Sequence, residues 1–308
     1  MTLDSLTPIF VSTVVAATPL IWAALGETVA EKAGVLNLGV EGMMLVGAVT
    51  GFAVGTETGS LAVAFAAAAF AGMGAALIFA VLTLTLQTNQ VATGLALTLF
   101  GVGFSAFVGN SYVGMPIASL PRLDVAGLSD LPVVGPLLFS YDAMVYLSVL
   151  LFFGVQWFLT TSHSGLKLRA IGESPSVAHS IGYPVIVVRY AAVMFGGATA
   201  GLAGAYLSLA QTPMWVEGMT AGKGWIALAL VVFGTWKPFR VVLGAFLFGG
   251  VTVMQLHVQG FGLPIPSEFL SMLPYLATII VLVLICRNPK TILLNQPVSL
   301  GRSFHPSA

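Results

Sequence analysis

The chain has 308 residues, 57% of them hydrophobic and only 7% charged, with a formal net charge of zero. A soluble domain carries roughly 25% charged residues, so a sizeable soluble domain is excluded, and the neutral balance gives no pointer to nucleic acid. The single cysteine, Cys286, excludes a disulfide within the chain.

Apolar runs of about 20 residues span a bilayer core. Runs of this kind predict an all-α, polytopic membrane helix bundle of about nine spans. Their limits are 7–25, 36–55, 60–86, 90–109, 141–161, 187–210, 222–236, 239–256 and 268–286. A tenth, broken or re-entrant helix is compatible with this reading. Residues 1–290 read as one transmembrane domain and 291–308 as a polar tail. The segment after Arg287 is polar and contains prolines, so it is expected to be loosely ordered. No removable signal peptide is expected, because the first apolar run lacks a basic lead.

The first informative stretch is "GVLNLGVEGMMLVGA", residues 34–48. Asn37 and Glu41 lie four apart, on one face of a helix. A carboxylate inside a membrane span is costly and faces the bundle interior, a partner or water. The two side chains either line a conduction path or tie this span to its neighbours, with Asn89, Gln90 or Lys32 as partners. Asn89, Gln90 and Thr93, in the next polar turn, are further candidates for the path. Glu41 is expected near the cytoplasmic end of its span. An irregular entry at "GVLNLGVEG" would also need such side chains for freed backbone groups.

A weak internal repeat follows. "FAGMGAALIFAVLTLTLQT" (70–88) resembles "FGGATAGLAGAYLSLAQT" (195–212), and "LALTLFG" (95–101) resembles "LALVVFG" (228–234). The copies are three spans apart and would be inverted in the membrane, as in many transporters. Chance likeness between Ala/Gly/Leu-rich helices is the competing explanation. The small residues of 66–76 and 196–205 predict close helix packing.

Basic residues set the orientation. With the loop 162–190 inside, alternation puts Lys32, Lys167, Arg169, Arg189, Lys237, Arg240, Arg287, Lys290 and Arg302 inside, against Arg122 and Lys223 outside. The N-terminus is then outside and the C-terminus inside. Residues 110–140 become an external loop, whose Pro116, Pro121, Pro132 and Pro136 oppose a continuous helix. In the loop 162–190 a short helix is predicted from Pro175 to Ile181. Ser174 would cap it, Pro175 suits its first position, and Gly182 suits the position after its end. Val177, Ala178 and Ile181 share a face. Two turns are not stable alone, so the helix docks either on its own bundle or on another protein.

Two nucleotide-like patterns fail on context. "GMTAGKG" (218–224) has the wrong spacing for a Walker A loop, and "GVGFSA" (101–106) lies inside an apolar run with no preceding strand. No clustered His/Cys metal ligands and no Ser/His/Asp arrangement are legible. An enzyme reading therefore has no support, and energy for active transport would come from a partner or an ion gradient.

"LRAIGESPSVAHSIGYPV" resembles the coupling loop of permease subunits of ATP-binding-cassette importers for simple sugars, nucleosides and branched-chain amino acids. "GVLNLGVEGMMLVGA", "TNQVATGLALTLFG" and "TPMWVEGMTAGKGWIALALVVFG" resemble the shorter permease of nucleoside importers. The resemblance runs from about Thr7 to Arg287. It implies a non-catalytic subunit without cofactor or metal, moving a nucleoside by alternating access. A simple sugar or branched-chain amino acid is the alternative solute. The implied partners are a cytoplasmic ATPase with two fused cassettes, a second non-identical permease, an external solute-binding lipoprotein and the lipid of a bacterial inner membrane. Arg169, Gly172, Glu173, Pro175 and Gly182 would form the coupling element, with Val177 and Ile181 in the groove of the ATPase. An ion-coupled secondary transporter is the rival class; it would need ionisable residues at the midplane.

Overall fold

The computed structural model describes residues 3–123, 129, 134–260 and 295–305, with the isolated positions 266, 269, 272, 273, 276, 277, 279, 280 and 283. Among these residues the fold is all-α, apart from isolated β-bridges. The helices are α1 (Leu3–Lys32), α2 (Val40–Thr58), α3 (Leu61–Ala80), α4 (Gln90–Gly109), α5 (Val134–Leu138), α6 (Ala143–Thr160), α7 (His163–Glu173), α8 (Pro175–Ser180), α9 (Val185–Tyr206), α10 (Lys223–Phe233) and α11 (Pro238–Gly260). Within the described residues six helices are long and apolar enough to cross a membrane: α1, α3, α4, α6, α9 and α11. α3 and α9 are each lengthened by a π-helical turn, Val81–Thr85 and Leu207–Gln211.

The two remaining expected spans that can be traced are broken. α2 starts only at Val40, after a non-helical segment at 35–37 and a turn at 38–39. α10 has 11 residues, about 16 Å of helix, roughly half of a 30 Å hydrocarbon layer. The span expected at 268–286 falls outside the described residues except at isolated positions, and Cys286 falls outside them altogether. α1 runs to Lys32 rather than 25, which brings Glu27 and Glu31 into the bundle as buried residues. Residues 110–140 hold a 3-10 turn at Asn110–Tyr112 and the five-residue α5, in keeping with the prolines.

Glycines set the core. A Cβ on Gly72 of α3 would lie 2.2 Å from the Gly197 carbonyl oxygen, and one on Gly201 of α9 would lie 2.2 Å from the Ala68 carbonyl oxygen. A Cβ on Gly197 would stand 2.3 Å from that of Ala76. Contacts that rise along α3 from 68 to 76 fall along α9 from 201 to 197, so the two helices run antiparallel. Each of the two helices carries its π-turn at its C-terminal end. α2 lies across both, with Gly47 against Gly201 and Gly204 against Met44. Small residues thus let three backbones meet.

Among the described residues, Lys32, Arg169, Arg189, Lys237 and Arg302 gather at one end. Glu173, Arg169 and Lys237 are the charged neighbours of Lys32, and Arg189 reaches the carbonyls of Ala33 and Arg302. Arg122 instead forms a backbone β-bridge with Asp142, at the start of α6.

Gly201→Val should lower the amount of folded protein recovered from membranes, because overpacking costs about 1–3 kcal/mol or more where only backbone can give way. Gly74→Val, where a Cβ meets nothing within 4 Å, should leave recovery unchanged. Equal recovery of both variants would refute the close α3–α9 packing.

Candidate functional site

The site is built on the two broken segments. α10 begins at Gly222, whose φ of 81° suits glycine and which offers no side chain to cap the helix. The first amides of a helix lack partners within it, and in an apolar interior they cannot stay unpaired. Glu41 supplies the missing acceptor from another helix. Its Oε1 accepts from the Gly222 amide at 2.9 Å and from the Thr220 hydroxyl at 2.6 Å. Its Oε2 accepts from the Gly224 amide at 2.6 Å. Glu41 also sits in the first turn of its own helix α2. The positive ends of two helix dipoles therefore meet one carboxylate. Lys223 is its nearby charged neighbour. Gly224 is obligatory in this geometry: a Cβ there would lie 2.5 Å from the Glu41 Cα.

Depth corrects one expectation. Glu41 is at the start of its helix, yet the helix starts inside the bundle. Next to it, a Cβ on Gly42 would touch Leu97 and Thr98 of α4, and one on Gly101 would touch Gly42. Glu41 is level with the middle turns of α4, not with its end. Lys223, beside Gly224, is at the same level.

The segment 34–39 is held by side chains around it. The Leu36 amide donates to Gln90 Oε1 at 2.8 Å, and the Asn37 amide donates to Glu27 Oε1 at 3.2 Å. Asn37 Oδ1 accepts from the Gly39 amide at 2.9 Å, and Thr98 donates to the Leu38 carbonyl at 3.0 Å. Asn37, Glu41 and Gln90 are buried. Their acceptor oxygens all serve backbone donors or, for Glu41, one hydroxyl as well. Glu41 does not meet Asn89, Gln90 or Lys32; Gln90 does hold this segment, through Leu36. Asn89 caps α4 by accepting from the Ala92 amide, and Thr93 shares a hydrogen bond with Thr88.

The second half of the site lies at the basic end. α8 spans Pro175–Ser180 with Ser174 as its cap, and Gly182 has a φ of 90°. Ala178 is buried against Ile171 and Val185. Val177 and Ile181 are 60% and 64% exposed, so the expected common face is split, with Ala178 inward and the larger residues outward. Glu173 is exposed and Arg169 half-buried. Gly172 wedges α7 against α1, where a Cβ would stand 2.1 Å from the Lys32 carbonyl oxygen.

Residues 295–305 clasp the same junction, which corrects the expectation of a loosely ordered tail for that segment. The Ser299 amide and hydroxyl both donate to the Gly172 carbonyl. The Gly301 amide donates to the Gly34 carbonyl, and Lys32 donates to the Asn295 carbonyl. The Phe304 ring meets His179 of α8 edge-on. Arg189, 1% exposed, donates to the Ala33 carbonyl, the Ser299 hydroxyl and the Arg302 carbonyl. Sequence reasoning used Arg189 only as a topology charge. It missed Glu27, Glu31, Thr220 and Trp236; Trp236 donates to Glu31 and pins the turn after α10. The one available signal was an acidic i, i+4 pair just past the apolar run of α1.

Among the described residues six helices are long and apolar enough to cross a membrane, as expected of a multi-pass membrane protein, and the carboxylate and amide side chains of the site serve backbone where it is broken or where helices begin. Residues 9–284 match the family of branched-chain amino acid transport system permease components. Among relatives, a Haloferax volcanii protein provisionally named a glucose ABC transporter permease is 42% identical over 96% of each chain. A guanosine ABC transporter permease of Bacillus subtilis is 34% identical over 88% of this chain and 89% of its own. A nucleoside ABC transporter permease of Lactococcus lactis is 31% identical over 87% and 88%. No solved structure matches the chain. The chain belongs to this permease family: it is the non-catalytic, membrane-spanning subunit of an ABC importer, and the family implies an ATPase partner.

Arg189→Met keeps the aliphatic stem but removes every donor. The buried Ala33 carbonyl and Ser299 hydroxyl and the part-buried Arg302 carbonyl lose their partner, at about 1–3 kcal/mol for a buried group. Amide hydrogen exchange across 295–305 should rise at least tenfold while exchange in α3 stays unchanged. Unaltered exchange in 295–305 would contradict the clasp.

Proposed function

We infer that this permease carries a nucleoside inward, driven by an ATPase that docks on α8. The observation that carries the docking is the exposure of Val177 and Ile181, two apolar side chains on a helix too short to stand alone. Ala178 already fixes α8 to its own bundle, so the outer residues are left for a partner. Arg169, Gly172, Glu173, Pro175 and Gly182 hold and shape this element. Motion entering at α8 passes through Gly172 to the end of α1 and the segment 34–39. It then reaches the Glu41 junction and the start of α10, where two broken helices can shift together. Asn37, Glu41 and Gln90 serve that hinge, and Asn89 and Thr93 stand at the rim of the path.

The basic end, with Lys32, Arg169, Arg189, Lys237 and Arg302, supports a cytoplasmic position for the loop 162–190 and for the C-terminus. Residues 110–140 then face outward, with nine spans in all and 291–308 as the tail of a single 1–290 membrane domain. The machine is completed by a second permease, a double-cassette ATPase and an external binding lipoprotein in a bacterial inner membrane. The relatives named for guanosine and nucleosides support the nucleoside. The relative at 42% identity, named for glucose, favours a simple sugar as the second reading. Uptake of labelled guanosine and labelled glucose by the assembled importer separates them: guanosine entry is expected, and glucose entry alone would overturn the nucleoside reading.

Ile181→Asp places a carboxylate on the docking face, where burial without a partner is costly. The protein should insert normally, lose the co-purified ATPase and lose more than nine-tenths of uptake. Normal uptake would overturn the docking role. Cysteines placed at Ser129 and Ser176 in a Cys286→Ala background test the topology: an impermeant thiol reagent on intact cells should label the first and spare the second. The reverse pattern would invert the bundle.

A further inference from the structure

A groove of about 740 Å³ runs along the outer surface between α6, α7 and the start of α9. Ligand pockets fall in roughly this size range, about 300–1,000 Å³. Its walls are apolar, with Leu151 and Phe158 from α6 and Val187 and Phe195 from α9. Gly154 opens it, because a Cβ there would meet nothing within 4 Å. The neighbouring face of α6 is lipid-facing in character, with Leu150, Phe153 and Trp157 each more than half exposed.

The groove does not end like an ordinary lipid-facing seam. At the α7 end Lys167 joins the lining, with Ser164 one turn before it. The Lys167 ammonium stands 5.5 Å over the Tyr183 ring. Among the described residues no carboxylate pairs with it. Trp157 and Tyr183 flank this end, and such amphipathic rings sit at headgroup level. A long apolar slot with one unneutralised cation and a hydroxyl at its mouth matches a molecule with an acyl chain and an anionic head. Basic pockets between membrane helices hold such headgroups.

We propose that this groove binds an anionic phospholipid, its acyl chain against Gly154 and its phosphate on Lys167. The lipid would fill the cleft between α6 and α9 and brace α7, the helix that leads to α8. This goes beyond solute transport and needs only that α7 lies at the membrane surface.

The test uses the assembled importer, delipidated in detergent. Thermal stability is read during titration with phosphatidylglycerol, phosphatidylcholine or inorganic phosphate, and retained lipid is measured by mass spectrometry. Phosphatidylglycerol should stabilise the wild type, and the other two should not. Lys167→Gln should weaken the phosphatidylglycerol response about fivefold, since one lysine near an anionic surface contributes about 1 kcal/mol. Gly154→Leu should fill the slot and abolish both the response and the retained lipid. Equal responses to both lipids, or a response to phosphate alone, would overturn the proposal. So would an unchanged response in both variants. Loss of the second permease from Gly154→Leu, with lipid retention intact, would assign the groove to a subunit interface instead.

Discussion

Glu41 accepts hydrogen bonds from the amides of Gly222 and Gly224 and from the Thr220 hydroxyl, and the centre of the bundle is arranged around that junction. α2 and α10 both begin where a membrane protein has no water to satisfy the first amides of a helix. A carboxylate is the strongest acceptor available for such donors, and Glu41 meets those of α10 while standing in the first turn of α2, at the positive end of that helix dipole. The flanking contacts follow from the same constraint. Gly224 must lack a Cβ for α10 to approach α2, and Gly42 and Gly101 must lack one for α2 to approach α4. The segment 34–39 can then leave the helical pattern because Gln90, Glu27 and Thr98 take up its amides and one carbonyl.

Much of this was legible from local pattern. The Ser174–Pro175–Gly182 signals found α8 to within a residue, since caps and glycine turns are local physics. Small residues at 66–76 and 196–205 announced close packing, though not that α3 and α9 would pack on each other. The run at 222–236 reads as a span in the sequence, yet only 11 residues of it form α10. What failed was long-range. Glu41 was read against neighbours in the chain, but its partners lie some 180 residues away. Glu27 and Glu31 looked like the polar end of α1 because nothing local says that α10 and the turn after it will cover them. The tail looked loose by composition, yet Ser299, Gly301 and Phe304 are ordered by groups on four different helices and turns. "GMTAGKG" was set aside as a false phosphate loop. Its chemistry is nonetheless real: glycine amides at a helix start do cradle an anion, and the anion is the protein's own Glu41.

The two halves of the site are one connected object. The end of α7, the end of α1, Arg189 and residues 295–305 form a knot of buried hydrogen bonds, and the segment 34–39 leads from that knot to Glu41. Backbone contact at Gly172 and Gly34 leaves little slack between them. The proposed docking of an ATPase on α8 would need a stiff link to the membrane core. Close glycine contacts at Gly172 and Gly34 are suited to such a link, and the non-helical segment 34–39 to a place where the bundle could switch.

The most direct test compares Glu41→Gln and Glu41→Ala by uptake per assembled complex, with abundance measured in the same membranes. If Glu41 is the cap that joins α2 to α10, Glu41→Ala should deplete assembled complex strongly and Glu41→Gln mildly. The complexes that do assemble should then keep the wild-type solute preference, whatever happens to their rate. Normal abundance with an altered solute preference in Glu41→Gln would instead make the carboxylate a solute contact and contradict this account.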